Sequence, residues 1–183
     1  MKLATERFMI RDFVEEDWVQ IHTYCSDEEV TRYTFWGPNT EEETRQFVNA
    51  AIQSQFQLPR TTYEMVIVDS STGEVLGNCC LKAEKSNAEL GYTISKVHWG
   101  KGIATEVARS MLEFGFRELK LHRIYATCRP ENTGSYKVME KIGMKREGHL
   151  REHFLKNGKW QDSYLYSILE SEYVCGSDKG EPT

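Results

Sequence analysis

The sequence predicts a domain of the mixed α/β class, and three observations support this. At 183 residues, the chain fits one domain comfortably. Segments with strand and helix periodicity follow the order strand, helices, three strands, helix, strand, helix, two strands, which is not a regular βαβ alternation. Turn signals join consecutive strands into two hairpins, so much of the sheet is expected to be antiparallel.

One strand and three helices are predicted in the first third of the chain. The strand is Phe8–Arg11. Asp12, followed three residues later by Glu15, resembles a capping box, so the first helix is expected to begin there. A second, short helix starts in residues 26–29, and Thr40 caps the third. The third helix carries one apolar stripe, made up of Phe47, Val48, Ala51 and Ile52.

Three consecutive strands fill the middle of the chain, at Tyr63–Asp69, Val75–Lys82 and Ala88–Ser95. The turn Ser70–Gly73 makes the first two a hairpin. Side chains alternate between the two faces of a strand. The third strand therefore places Leu90, Tyr92 and Ile94 on one face, and Glu89, Gly91 and Thr93 on the other.

The last third contains two helices and three strands. A long helix follows a glycine-containing loop, and its stripe consists of Ile103, Val107, Met111 and Phe114. The strand Arg123–Arg129 comes next, and then a short helix that Asn132 opens and Gly143 closes. A final hairpin pairs Lys145–Phe154 with Trp160–Leu169 around the turn dipeptide Asn157-Gly158, and residues 170–183 form a frayed tail.

Composition excludes several classes of protein. The formal net charge is −5, whereas nucleic-acid binders carry a basic surplus, so no nucleic-acid partner is expected. The chain has no apolar run of about 18 residues and no signal-peptide core, which predicts a cytoplasmic protein with no membrane partner. Its five cysteines form no C-x-x-C pair, so we expect reduced thiols and no metal site.

The loop between the strand Ala88–Ser95 and the long helix is a candidate pyrophosphate cradle. Glycines at 100 and 102 let a ligand approach the backbone, and the helix that follows presents unpaired N–H groups and the positive end of its dipole. A tight turn that needs glycine for geometry alone is the alternative. The loop lacks the G-K-[ST] ending of a P-loop and the third glycine of a dinucleotide fingerprint. A nicotinamide-dependent oxidoreductase is thus disfavoured.

The loop W-G-K-G-I-A, at residues 99–104, resembles the acetyl-CoA signature of the GNAT superfamily of N-acetyltransferases. A second motif, Asn132-x-x-Ser135 followed by residues 140–144 (E-K-I-G-M), is similar to the pattern of the subgroup that includes ribosomal-protein N-terminal acetyltransferases, with Met144 in place of phenylalanine. The resemblance spans about residues 5–170 as a single domain and leaves residues 171–183 as a flexible tail.

The resemblance implies a fold and a co-substrate. The fold would be a mixed, mostly antiparallel sheet of six to seven strands, flanked by helices, in which the strands Ala88–Ser95 and Arg123–Arg129 splay apart. The pantetheine arm of acetyl-CoA would lie in the splay. The residues expected to bind acetyl-CoA are Thr93, Ile94, Trp99, Gly100, Lys101, Gly102, Ile103, Ala104, Thr105 and Asn132.

Acetyl transfer to an amine needs a base and a donor near the departing sulfur. Glu89 is the predicted base, acting through water, with Glu152 in reserve; each has a structural carboxylate as its alternative. Ser135 is the predicted donor or orienting group, or else a residue of the first helical turn. Many relatives carry a tyrosine four residues before the helix-ending glycine, where this chain has Met139. That departure leaves a non-catalytic acyl-CoA sensor as a second hypothesis.

The predicted reaction is direct acetyl transfer in a ternary complex to a primary amine, either a protein N-terminus or a small molecule. Tyr33, Phe35 and Trp36 are expected to form a wall of the acceptor site, with packing at a helix end as the alternative. His22, His122 and His149 are assigned surface or packing roles. A homodimer is a further expectation.

Overall fold

The computed structural model describes residues 1–173, and one eight-stranded sheet runs through them. The spatial order of the strands is β1-β2-β3-β4-β5-β6-β8-β7. Every neighbouring pair is antiparallel except β5 and β6, which are parallel. The strands are β1 Lys2–Ala4, β2 Phe8–Asp12, β3 Thr62–Asp69, β4 Val75–Glu84, β5 Asn87–Ile94, β6 Arg123–Cys128, β7 Lys145–Lys156 and β8 Lys159–Leu169.

Five α-helices and three single turns of 3₁₀ helix accompany the sheet in residues 1–173. The α-helices are α1 Trp18–Cys25, α2 Glu28–Thr31, α3 Glu41–Ser54, α4 Ile103–Arg117 and α5 Thr133–Lys141. The 3₁₀ turns are Glu15–Asp17, Lys96–His98 and Glu170–Glu172. The mixed α/β class and the mostly antiparallel sheet are therefore confirmed.

All seven predicted strands are present, and the sheet gains an eighth. That strand, β1, has three residues and lies at the edge against β2. Three residues are too few for an alternating pattern, so the sequence carried no strand signal there. The turn Asn157-Gly158 joins β7 and β8 as expected, with φ of +50° and +73°.

Two predicted helix starts can be compared with the structure. Thr40 caps α3, since its hydroxyl accepts a hydrogen bond from the N–H of Glu43, whose carboxylate accepts from the N–H of Thr40. The capping role of Asp12 is wrong, because Asp12 belongs to β2 and pairs with Arg60. The carboxylate that receives the N–H at this helix start belongs to Asp17, which bonds Val14 N at 2.9 Å.

Hydrophobic residues pack on both faces of the sheet. Helices α4 and α5 cover one face, where Met111, Leu112 and Met139 are fully buried against strand residues such as Ile124. Helices α1 and α3 cover part of the other face, over β3 and the start of β4. Within residues 1–173, α1, α2 and α3 make no extensive contact with β5, β6 or β8 on that second face. We call this uncovered area the open face.

The central strands part as the resemblance implied. β5 and β6 pair at only three positions, the last being Glu89 with Tyr125. β5 then continues to Ile94 and β6 to Cys128 without pairing with each other. The backbone edge of β5 beyond Glu89 is thus left without a strand partner, and such an edge offers N–H and C=O groups to a ligand.

The first residues of the predicted tail continue the fold. Glu170–Glu172 form a 3₁₀ turn, and the ring of Tyr173 lies 5.1 Å from that of Phe116 in α4. The remainder of the predicted tail, residues 174–183, lies outside the described residues, as does Cys175.

Candidate active site

The glycine loop has a defined conformation at the end of β5. The indole N–H of Trp99 donates to the carbonyl of Ile94 at 2.7 Å, which ties the end of β5 to the loop. Gly100 and Gly102 have φ of +76° and +77°, in the left-handed region that favours glycine. Gly102 is also the N-cap of α4. The glycines are therefore required by the backbone.

The loop also presents free donors at an open surface. In residues 1–173, no backbone carbonyl accepts from the N–H groups of Gly100, Lys101 or Gly102. A Cβ at position 100 would meet nothing within 4 Å, and one at position 102 only the Arg7 guanidinium, at 3.7 Å. Free N–H groups at a helix N-terminus attract phosphate. The loop thus fits the pyrophosphate of acetyl-CoA, and Ile103, Ala104 and Thr105 supply the first turn of the helix.

Arg7, near the N-terminus, contacts this loop although 94 residues separate it from Lys101. Its Nε donates to Glu106 Oε2 at 2.7 Å, and its Nη1 donates to the Lys101 carbonyl at 3.1 Å. Thr5 Oγ1 donates to the other oxygen of Glu106 at 2.6 Å. Desolvation opposes ionisation of Glu106, but these hydrogen bonds prevail and lower its pKa. No sequence signal pointed to Arg7, because its register beside α4 exists only in the folded sheet.

The predicted pantetheine contacts lie on the unpaired part of β5. Thr93 and Ile94 are the last residues of the strand, beyond its pairing with β6. The Ile94 carbonyl is already engaged by Trp99. The exposed Lys101 ammonium lies 3.5 Å from His98 Nδ1 and contributes positive charge beside the loop.

Ser135 lies across the splay from β5. Its N–H donates to Asn132 Oδ1 at 3.1 Å, so Asn132 caps α5 as predicted. The Tyr92 hydroxyl donates to the Ser135 carbonyl at 3.0 Å and lies 3.2 Å from Ser135 Oγ. Burial raises the pKa of Tyr92, which therefore keeps its proton. Met139 is buried in the core, so Tyr92 is the hydroxyl that reaches Ser135.

Glu89 stands where β5 and β6 part. It is half-buried and lies between Lys82 of β4 and Tyr125 of β6. Burial and the nearby Glu89 charge both raise the pKa of Tyr125. Glu89 and Ser135 are not brought together, because Glu89 is on the open face whereas Ser135 meets Tyr92 on the helix-covered face. Three residues of strand also separate Glu89 from Tyr92, roughly 10 Å.

The other polar candidates have structural partners. His22 Nδ1 lies 2.9 Å from Thr44 Oγ1, and His149 Nε2 lies 2.6 Å from Asp162 Oδ2. The reserve base Glu152 is exposed at an irregularity of β7, where its N–H donates to Asp162 Oδ1.

The predicted acceptor wall is tied to the final hairpin. Lys156 Nζ, at the end of β7, donates to three backbone carbonyls at 2.7–3.2 Å. They belong to Thr31, Thr34 and Trp36. Phe35 is exposed beside them. The hairpin and the turn after α2 are therefore in direct contact.

Comparison with known proteins settles the family. Residues 7–145 match the model of the acetyltransferase (GNAT) domain. The chain belongs to the GNAT acetyltransferase family. It is therefore an N-acyltransferase that uses acetyl-CoA, and the sensor and nicotinamide hypotheses lose their support.

Individual relatives agree with this family. The chain is 37% identical to the uncharacterized N-acetyltransferase YnaD of Bacillus subtilis (strain 168), over 94% of this chain and 99% of YnaD. A GNAT-family acetyltransferase structure from Bacillus anthracis superposes with a TM-score of 0.85 at 38% identity, covering 94% of this chain and 100% of that one.

A third comparison includes bound ligands. The Vibrio cholerae spermidine N-acetyltransferase in complex with CoA and spermine has a TM-score of 0.79 at 27% identity, covering 92% of this chain and 99% of that one. Structures of similar fold also include acetyltransferases of ribosomal proteins, at 22% and 19% identity. Within residues 1–173, no helix of the GNAT chain is long and apolar enough to cross a membrane.

Proposed function

We propose that this GNAT enzyme transfers the acetyl group directly to a primary amine in a ternary complex assembled around β5. The parting of β5 and β6 carries the proposal. It leaves the end of β5 free beside the glycine loop, and it opens the sheet next to Glu89. Acetyl-CoA and the amine can thus approach β5 from opposite faces of the sheet.

The donor half uses the loop and the splay. Gly100, Lys101 and Gly102 bind the pyrophosphate through their N–H groups, which the first turn of α4 extends. The unpaired edge of β5 at Thr93 and Ile94 contacts the pantetheine arm. Asn132 caps α5 on the other side of the splay, and within residues 1–173 no acceptor engages its amide nitrogen.

The acceptor half uses Glu89 as the base. Its carboxylate takes a proton from the ammonium through water, and the neutral amine nitrogen then forms the N–C bond as the C–S bond breaks. Tyr92 orients Ser135, whose hydroxyl donates a hydrogen bond to the departing sulfur. The second proton of the attacking nitrogen passes through water to that sulfur, which gives the amide and the free thiol of CoA. Burial raises the pKa of Cys25 to about 12 and of Cys128 to about 11, so these thiols are poor nucleophiles and direct transfer is favoured.

The acceptor is a cationic amine in this proposal. The chain is acidic overall, with a net charge of −5, and Glu89 adds negative charge at the open face. Relatives named spermidine N(1)-acetyltransferase support a small-molecule amine. A homodimer and a cytoplasmic location remain predictions.

The test is turnover of acetyl-CoA against amines and N-terminal peptides, with Glu89→Gln as the variant and Glu84→Gln as the control on the neighbouring strand. We expect Glu89→Gln to lower kcat/KM for the amine by roughly 100-fold, the range of a lost general base, and to leave CoA affinity unchanged. Full activity in Glu89→Gln would remove it as the base. An enzyme that binds CoA but acetylates none of the amines would refute the proposed function.

A further inference from the structure

Glu64 is a carboxylate that the mechanism does not use, on the sheet face that α1 and α3 partly cover and that continues into the open face. It lies in β3, directly opposite Cys80 of β4, which lies opposite Gly91 of β5. Residues opposite each other on neighbouring strands project from the same face. Glu64, Cys80 and Gly91 therefore form a row across three strands that leads to the splay.

The surroundings of Glu64 are polar but neutral. Asn78 Nδ2 donates to Glu64 Oε1 at 2.8 Å, and Asn78 Oδ1 accepts from the Tyr24 hydroxyl at 3.0 Å. The Cys80 thiol also donates to Glu64. Within residues 1–173, no lysine, arginine or histidine pairs with this carboxylate. Glu64 is half-buried, and its carboxylate is largely desolvated. A desolvated carboxylate without a counter-ion is costly, and a bound cation would offset that cost.

Within residues 1–173, there is open space beside Gly91, at the β5 end of this row. A Cβ on Gly91 would meet no atom within 4 Å. Glu89 borders the same space, two residues before Gly91 on the same strand and face. The charges of Glu64 and Glu89 both act on Cys80, the residue between them. Two carboxylates thus flank one opening at the place where acetyl transfer is proposed.

We infer that Glu64 binds a second ammonium group of the acceptor, while the first amine is acetylated beside Glu89. This inference rests on the proposed function and makes the acceptor a diamine or longer polyamine. The Asn78 and Cys80 donors are both on β4, so they draw the Glu64 carboxylate over that strand. It then lies about one strand spacing from β5, roughly 5 Å, which a chain of about four methylene groups covers.

The experiment compares two acceptors that differ only in the second charge, butane-1,4-diamine and butan-1-amine. We expect the wild-type enzyme to prefer the diamine at least tenfold in kcat/KM. Glu64→Gln should bring this ratio close to one, through a higher KM for the diamine with its kcat little changed. Glu118→Gln, at the exposed end of α4, is the matched control and should keep the wild-type ratio.

A binding measurement separates recognition from catalysis. With CoA bound, the diamine should raise the Tm of the wild-type enzyme more than the monoamine does, and Glu64→Gln should abolish that difference. Glu64→Asp shortens the side chain by one methylene and should shift the preference towards pentane-1,5-diamine, a change that general loss of folding would not produce.

The outcomes distinguish this inference from the proposed function. Glu64→Gln that keeps the diamine preference would overturn the inference, as would a wild-type enzyme that acetylates N-terminal peptides but neither butylamine compound. In both cases amine acetylation itself would stand. A failure to acetylate every amine would instead contradict the proposed function.

Discussion

The Tyr92 hydroxyl lies 3.2 Å from Ser135 Oγ and joins β5 to α5 across the gap that the parting strands create. The two residues are 43 positions apart in the chain. Since Met139 is buried at the position where many relatives carry a tyrosine, Tyr92 reaches the same neighbourhood from the strand. The proposed donor network is therefore built from β5 and the first turn of α5.

Removing the Ser135 hydroxyl tests this network. Ser135→Ala should lower kcat on the order of tenfold, less than the roughly 100-fold typical of a full general acid, because CoA thiolate leaves well without help. Tyr92→Phe should reduce kcat less, since Ser135 remains. It should also cost about 1 kcal/mol of stability through the lost hydrogen bond. Steady-state kinetics and denaturant unfolding measure both effects.

A tyrosine outside the site provides the comparison. Tyr63→Phe removes a hydroxyl bonded to the Arg60 carbonyl at 3.2 Å, so it should lower stability similarly and leave kcat unchanged. If Ser135→Ala and Tyr92→Phe both kept the wild-type kcat, the network would be structural only.

The two loop glycines should be required for CoA binding. Gly100→Ala and Gly102→Ala each place a side chain in the left-handed region, at a cost of about 1–2 kcal/mol, and we expect the backbone to turn its N–H groups away from the pyrophosphate. CoA affinity, measured by calorimetry, should fall at least tenfold in each variant.

Gly158→Ala separates strain from binding. Gly158 has φ of +73° and an open surround like those of Gly100, but it lies in the β7–β8 turn. It should lose similar stability and keep its CoA affinity. Unchanged CoA affinity in both loop variants would mean that these glycines serve the turn alone.

Arg7 should affect CoA binding without contacting the chemistry. Arg7→Gln removes the donors to Lys101 O and Glu106, so the loop should lose part of its order and CoA affinity should fall about threefold to tenfold. The ion pair is partly exposed, so the stability change should stay below about 1 kcal/mol. A matched exposed pair is Arg117 with Glu113, and Arg117→Gln should leave CoA affinity unchanged.

Most helices and strands could be predicted because helix caps and turns are specified by residues that are neighbours in the sequence. Thr40 with Glu43 marks a helix start within four residues, and Asn157-Gly158 marks a turn within two. The error at Asp12 has the same origin, since the strand extends one residue further and Asp12 pairs with Arg60, 48 residues away. Sequence spacing alone does not distinguish a cap from a strand carboxylate.

Sequence reasoning proposed the candidate site residues that lie in one contiguous motif. It missed those whose partners lie on other elements of the sheet. The loop and Asn132 are contiguous motifs. Arg7 and Tyr92 act on partners 94 and 43 positions away, which only the folded register reveals. Glu64 carried a signal that went unused, namely a carboxylate inside the otherwise apolar run of β3.

The buried position of Glu64 predicts how stability depends on pH. Burial raises the pKa of Glu64, and the hydrogen bonds from Asn78 and Cys80 only partly oppose this. The neighbouring Tyr24 and Cys25 also have raised pKa values, so they stay neutral between pH 5 and 8. In the unfolded chain the pKa of Glu64 is about 4.3, so as pH rises the unfolded state releases this proton before the folded state does. The free energy of unfolding therefore falls as pH rises from there through the folded pKa.

Glu64→Gln removes this penalty while keeping the shape of the side chain. The variant should approach the wild-type Tm near pH 4, where Glu64 is mostly protonated in both states, and should exceed it at pH 8. Each kcal/mol recovered raises Tm by about 2–4 °C for a chain of this size. Scanning calorimetry at the two pH values measures the difference, and Glu118→Gln should show none. Saturating butane-1,4-diamine should narrow the gap at pH 8, because the bound ammonium stabilises ionised Glu64. A variant less stable than wild type at pH 8 would mean that Glu64 is ionised and already well compensated in the free enzyme.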